Sequence, residues 1–359
     1  MSFNPSLHGL RGLIAVSILL FHWKTNYPEL ARQFQAIPIF GANWDLFYFI
    51  NGGGIHWFFV LSGYQIAASL WQQPMNCQHL WLFGKRRFLR IFPVVWVHLA
   101  ILMAVTYYIL GSLSFLQWRQ LLGNSLLWFN PLPLGVAPYN GVMWTLSVEL
   151  LFYLTLPILL LIYRGSNIWF VIFLGAATAI AYRWGIWLQH DGALRHDSAA
   201  LRVFPGLLFL FIAGFAINHF SPNPAQGLRN VLFALSAGAY FLWRYPVQNH
   251  AETPWLVMGW DLGMGLLIAF MVSLLIKPVY GLGWLSSRPL MWIGNLSFGI
   301  YLWHLPALRW LPRLAPGPWN TAEGSALALM ICLFLTFTMA SLTYFLIEKP
   351  LLFKRHKRD

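Results

Sequence analysis

Apolar residues in this chain gather in long runs rather than alternating with polar ones. Ten runs approach the roughly 20 residues that a helix needs to cross a bilayer. They are Leu7–Trp23, Gly53–Trp71, Leu89–Leu110, Val142–Tyr163, Ile168–Trp184, Val203–His219, Asn230–Tyr245, Trp255–Ile276, Leu290–Trp310 and Ser325–Ile347. A shorter run around Leu121–Phe129 suits a re-entrant or interfacial helix. The pattern predicts an all-α integral membrane protein, a polytopic bundle of about ten transmembrane helices. No internal repeat, low-complexity stretch or soluble module interrupts it, so residues 1–359 read as a single membrane domain with a basic tail over 348–359. The longest connections, Thr25–Asn51 and Gly111–Gly141, fall on the outer side and are placed to shape a binding site.

Composition agrees. The chain is 58% hydrophobic and 9% charged, whereas a soluble domain carries about 25% charged residues. Its 20 Trp and 29 Phe suit aromatic belts at two interfaces. Cys77 and Cys332 lie too far apart in sequence to suggest a disulfide framework or metal cluster. The net charge of +13 has no basic stripe on a soluble module behind it, which argues against nucleic acid. With a cytoplasmic N-terminus, 14 of the 23 Lys and Arg fall inside and 9 outside, including the blocks Lys85–Arg90 and Lys349–Arg358 inside. Positive-inside bias thus predicts both termini in the cytoplasm.

The first helix resembles a signal peptide in length, but Lys24-Thr-Asn-Tyr-Pro follows it instead of a small-x-small cleavage site. Residues Leu13–Trp23 rise only about 16 Å, roughly half the hydrocarbon core. The helix must therefore reach back through Arg11 towards Leu7, drawing Arg11 into the membrane.

Ionisable groups inside a membrane are costly and mark function by default. Arg11 and His22 are eleven residues apart, so they share a helix face about 16 Å apart along the axis. The competing reading is an Arg snorkelling to headgroups and a His at the outer helix end. Glu149, in Met143-Trp-Thr-Leu-Ser-Val-Glu-Leu-Leu-Phe-Tyr153, lies about two turns inside the outer end of its helix. At that depth it can orient His22 as a general base for a hydroxyl; the alternative is a carboxyl kept for packing. His304, in Tyr301-Leu-Trp-His-Leu-Pro306, ends another helix on the outer side, where a belt residue is the plain alternative. His56 and His98 have weaker context, and His190-Asp-Gly-Ala-Leu-Arg-His196 matches no familiar metal-ligand spacing. Arg87 and Arg90, three apart in Lys85-Arg-Arg-Phe-Leu-Arg-Ile-Phe-Pro93, are placed to open the third helix. Helix N-termini and Arg forks both favour phosphate, suggesting a cytosolic nucleotide-like donor, although ordinary positive-inside charge accounts for them equally. Gly259-x-x-x-Gly263 is a weak helix-packing motif.

These segments, in order, resemble acyltransferase family 3, membrane O-acyltransferases that modify lipopolysaccharide O-antigens, exopolysaccharides and Nod factors. The resemblance rests on Leu7-His-Gly-Leu-Arg11…Phe21-His22, Trp57-Phe-Phe-Val-Leu-Ser-Gly63, Arg87-x-x-Arg90, Trp144-Thr-Leu-Ser-Val-Glu149, Gly299-Ile-Tyr-Leu-Trp-His304 and Glu348-Lys-Pro350. The usual Asp after the first Leu is His8 here. The resemblance implies a multi-pass protein of the bacterial inner membrane with acetyl-CoA or another acyl-CoA as donor substrate and no permanently bound cofactor. Arg11, Arg87 and Arg90 are then expected to hold the donor, and His22 with Glu149 to catalyse transfer to a glycan or lipid-linked saccharide hydroxyl. Ser62, Ser147, Tyr301 and His304 are candidate lining residues. Many relatives carry an esterase-like periplasmic domain; the expectation here is direct transfer to the acceptor or to a separate periplasmic partner, with membrane lipids around the protein and a homo-oligomer open. A covalent acyl-enzyme is the mechanistic rival.

A transporter or flippase also uses intramembrane Arg, His and Glu, but favours paired repeats and broken helices. A scaffold leaves the buried charges unexplained. His22→Ala and Glu149→Ala should each abolish acylation while leaving membrane insertion and abundance intact; full activity in either variant contradicts the assignment.

Overall fold

A computed structural model describes residues 3–33, 37–39, 42–44, 53–111, 118–129, 136–190, 199–220, 222–248 and 253–353. In chain order the elements are α1 (Pro5–Asn26), α2 (Pro28–Arg32), a short hairpin of β1 (Ile37–Ile39) and β2 (Ala42–Trp44), α3 (Gly54–Leu70), α4 (Cys77–Leu110) and α5 (Trp118–Ser125). A 3-10 turn, Gly141–Met143, leads into α6 (Trp144–Gly165), followed by α7 (Ile168–Gln189), α8 (Phe204–Phe220), α9 (Gln226–Gln248) and α10 (Pro254–Leu275). The chain closes with α11 (Arg288–Leu314), α12 (Ala322–Thr343), a π-turn over Tyr344–Glu348 and α13 (Lys349–Phe353). Each of the ten predicted runs is a helix. Six of the described helical stretches are long and apolar enough to cross a membrane. The antiparallel hairpin, with Pro38 opposite Asn43, was not expected from the sequence.

The described chain forms two compact units. One comprises Met1–Leu7, Ile55–Gly84 and Thr145–Ser287. Its core is α8, buried on every side from Gly206 to Ile217, as a helix apolar all round must be. α7 and α10 pack on it, and α9 packs on α10. α3 approaches α8 backbone to backbone: a Cβ on Gly63 would strike the Phe211 carbonyl, and one on Gly214 the Val60 carbonyl. Without a hydrophobic drive between helices in lipid, such close approach supplies dispersion contact. Of the suspected Gly259–Gly263 motif, only Gly263 packs, against the Trp243 indole, while Gly259 faces open space.

Several arginines counted as orientation marks prove structural in this unit. Arg183 and Asp261, each 2% exposed, form a buried ion pair; Asp261 Oδ1 also accepts from His56 Nε2 at 2.7 Å. Arg164 donates to the carbonyls of Trp71 at 3.0 Å and Gln73 at 2.8 Å, capping the end of α3. Arg229 donates to the Pro224 and Pro278 carbonyls.

The second unit comprises His8–Gly54, Lys85–Trp144 and the described part of Arg288–Asp359. Here α11 packs along α12, with Gly299 against Ala340. α1 crosses α11 where Gly12 meets the Gly294 backbone and Gly294 meets the His8 carbonyl. α4 begins at Cys77, well before the Lys85–Pro93 segment expected to open it, and runs 34 residues, about 51 Å at 1.5 Å per residue. Arg87 and Arg90 therefore sit inside a helix, and the expected helix-N-terminal contribution to anion binding is lost. The suspected re-entrant stretch holds the eight-residue α5, too short to span. Residues 191–198, with most of the suspected His190–His196 segment, and the tail from 354 onward lie outside the described residues.

Overpacking a filled interface costs about 1–3 kcal/mol or more. Gly214→Leu should lower the thermal unfolding midpoint in detergent, whereas Gly238→Ala, where nothing lies within 4 Å, should leave it unchanged or raise it slightly.

Candidate active site

α1 lines up His8, Arg11, Ala15, Ile18 and His22 at alternating spacings of three and four, one continuous stripe on a helix. Its lower part meets α11 through the Gly12–Gly294 crossing, and its upper end meets α11 through His22. His22 Nδ1 and His304 Nε2 are 3.0 Å apart, with ring centroids at 4.9 Å. His304 is fully buried, and its Nδ1 lies 3.0 Å from the Ile300 carbonyl. A carbonyl only accepts, so His304 carries its proton on Nδ1 and presents Nε2 as an acceptor. His22 Nδ1 is then the donor, shared with the Ile18 carbonyl at 3.1 Å. This network assigns the His22 lone pair to Nε2, the nitrogen from which a neutral imidazole acts as a base.

Prolines explain how α11 is held for this contact. Pro306 and Pro312 lie inside it, and each removes the N–H that would bond the carbonyl four residues back. Those carbonyls are Leu302 and Leu308. Asn140 Nδ2 donates to the first at 2.7 Å and the Tyr27 hydroxyl to the second at 2.8 Å. Asn140 also contacts the buried His98 at 3.1 Å, and Tyr301 donates to the Val142 carbonyl at 2.9 Å. The Trp23 indole donates to the Ser325 carbonyl at 2.8 Å and the Ser325 hydroxyl to the Tyr27 carbonyl at 2.7 Å, tying α1 and the residue after it to α12. Tyr301, expected as a lining residue, is a clamp whose ring lies 5.8 Å from that of His304.

At the other end of the α1 stripe, His8 Nε2 donates to Asn295 Oδ1 at 3.0 Å. Arg11 and Arg90 both act electrostatically on His8 and on Glu348. Glu348 is buried at the end of the π-turn, where Lys349 N–H bonds the Tyr344 carbonyl. The next residue, Pro350, cannot complete an α-turn, which favours the wider loop. The structure thus gathers Arg11 and Arg90 with His8, Asn295 and Glu348 into one charged cluster. Arg87 lies one turn from Arg90 on the same helix.

Glu149 lies in the other unit. Its Oε1 accepts from the Ser62 hydroxyl at 3.0 Å and from Tyr153 at 2.7 Å. Ser62 therefore serves the carboxylate, and Ser147 is buried two residues before it. Within the second unit, His304 Nε2 is a partner of His22 Nδ1.

A cleft of about 760 Å³ opens beyond the histidine pair, wholly within the second unit. It starts at Leu305, next to His304, and at Asn26, whose side chain donates to the His22 carbonyl at 2.7 Å. Tyr139 lines it, held by a bond from its N–H to the buried Asn124 at 2.8 Å. Burial raises the Tyr139 phenol above its usual range, so it remains a hydroxyl at any physiological pH.

A family model described as an acyltransferase domain matches residues 4–345. The chain belongs to acyltransferase family 3. Similar family members include the peptidoglycan O-acetyltransferase OatA of Listeria monocytogenes, 24% identical over 97% of this chain and 56% of that protein. The putative peptidoglycan O-acetyltransferase YrhL of Bacillus subtilis is 26% identical over 97% and 55%. Nodulation protein 10 of Rhizobium leguminosarum is 26% identical over 94% of this chain and 90% of its own length. The chain spans about half the length of the first two. No solved structure matches it.

Within this family 3 chain, the sequence missed Glu348 as a site residue, although Glu348-Lys-Pro350 was among the quoted motifs, and set His8 aside as a departure. A carboxylate followed within two residues by Pro at the end of an apolar run was the available signal. If His304 fixes the His22 tautomer, His304→Leu should lose much of the ~10²–10⁴-fold that a positioned base contributes. His304→Gln, which can still accept from Nδ1, should recover part of kcat, with donor KM unchanged in both. Equal rates for the two variants would contradict this role.

Proposed function

We propose that this protein is a multi-pass inner-membrane O-acetyltransferase that moves an acyl group from cytosolic acyl-CoA to a hydroxyl of an extracytoplasmic glycan. The observation that carries this is the His22–His304 pair, whose neighbours Asn26 and Leu305 line a polar cleft, with His22 on the same helix as Arg11 about 16 Å away. Family membership and O-acetyltransferase relatives support the reaction class. α1 and α11 run parallel, since His8 meets Asn295 and His22 meets His304; this supports the alternating path of ten spans with both termini in the cytoplasm.

Arg11 and Arg90, with Arg87 beside them, are suited to the phosphates of the donor, because guanidinium forks match phosphate oxygens. The pantetheine arm would then extend along the α1 stripe and bring the thioester to His22. His22 Nε2 takes the proton of the acceptor hydroxyl as its oxygen attacks the thioester carbonyl. The C–S bond breaks, the coenzyme leaves as thiolate, and the imidazolium returns the proton to sulfur. His304 Nε2, accepting from His22 Nδ1, stabilises the transient imidazolium. Glu149, held by Ser62 and Tyr153, remains a second candidate for the catalytic machinery.

The test uses purified protein in proteoliposomes with labelled acetyl-CoA and glycan acceptors. Arg90→Gln and Arg87→Gln should raise KM for acetyl-CoA about tenfold or more. Neither should change the rate with acetyl-pantetheine, a thioester that lacks the nucleotide phosphates. Equal losses with both donors would contradict the phosphate role. Absence of donor consumption with every acceptor would overturn the reaction and favour transport.

A further inference from the structure

We propose that the cleft beyond His304 selects an anionic acceptor, recognising a carboxylate or phosphate on the glycan through Arg309 and Arg313. This rests on the acyl-transfer reading above and goes beyond it by naming the charge of the substrate. Both arginines line the cleft and stand one turn apart on α11, so their side chains share a face. No Asp or Glu lines the cleft, and among the described residues neither arginine forms an ion pair. Arg309 is seated beside Gly141, where a Cβ would lie in ordinary contact with the guanidinium at 3.8 Å.

The rest of the lining fits a sugar. Tyr27 and Trp319 meet edge to face with centroids 6.3 Å apart, offering apolar ring surface, while Tyr139 and Asn320 add polar groups. Arg309 and Arg313 lie five and nine residues beyond His304, about 8 and 14 Å along the helix. The anion therefore sits away from the reacting hydroxyl, where it anchors the acceptor without competing for the base. A guanidinium fork pairs bidentately with either anion. The prolines matter here too: Tyr27 and Asn140, which bind the freed carbonyls, are themselves cleft residues.

The test compares the full-length protein with Arg309→Gln, Arg313→Gln and the double variant in proteoliposomes. Three probes are used: a tetrasaccharide with uronic carboxylates, the same tetrasaccharide with its carboxyls reduced to alcohols, and its phosphorylated counterpart. Binding is read without donor from intrinsic tryptophan fluorescence, so a failure of the transfer reaction leaves this readout intact. The wild type should bind at least one anionic probe tenfold or more tighter than the neutral one, with an advantage that falls as salt rises. The double variant should lose that preference and keep its affinity for the neutral probe. Equal wild-type affinity for all three probes would overturn the proposal, as would equal weakening of all three in the double variant. Vesicles of anionic or zwitterionic lipid separate the remaining source of anion. If the arginines affect only retention of anionic lipid, the cleft is a headgroup site and the proposal fails.

Discussion

The hydrogen bond from His22 Nδ1 to His304 Nε2 is the contact on which the rest of the site depends. It joins residues 282 positions apart in sequence, and it assigns the unprotonated nitrogen of His22 to Nε2. A misplacement of either helix by one turn would leave an imidazole in a membrane interior with no oriented partner, a state that costs several kcal/mol. The unit around the pair prevents that. Glycines at positions 12 and 294 bring α1 and α11 to backbone contact below. Trp23, Tyr27 and Ser325 tie them to each other and to α12 above.

The two prolines of α11 illustrate how the bilayer constrains such a site. In lipid a carbonyl released by proline must find another donor, since water is absent. Asn140 and Tyr27 supply those donors, and in doing so they become walls of the outer cleft. The prolines, the cleft and the imidazole pair are thus linked through the same side chains. At the other end of α1, Arg11 and Arg90 share their field with Glu348, whose turn is widened ahead of Pro350. Glu348 is buried within the electrostatic reach of both arginines.

Helices were legible because bilayer thickness sets run length, and Val203–His219 or Trp255–Ile276 could hardly be anything else. Arg11 and His22 were legible because eleven residues return a helix to the same face. Pairing was not. Nothing local in Tyr301-Leu-Trp-His-Leu-Pro306 says that His304 meets His22. Arg183 and Arg229 were counted as topological charge because a sequence does not show which arginines find a buried Asp261 or a ring of carbonyls. The Lys85–Pro93 segment was expected to open α4 because basic residues bound an apolar run, yet Lys and Arg are good helix formers and the helix continues back to Cys77. Arg87 and Arg90 are thus inside a helix and not at its N-terminus.

The most direct measurement is nitrogen NMR of the protein labelled at histidine and reconstituted in lipid bilayers. His22 should be protonated at Nδ1 and bare at Nε2, His304 should be protonated at Nδ1, and a correlation across the hydrogen bond should connect His22 Nδ1 to His304 Nε2. A His22 protonated on Nε2, or no correlation between the two rings, would contradict the account.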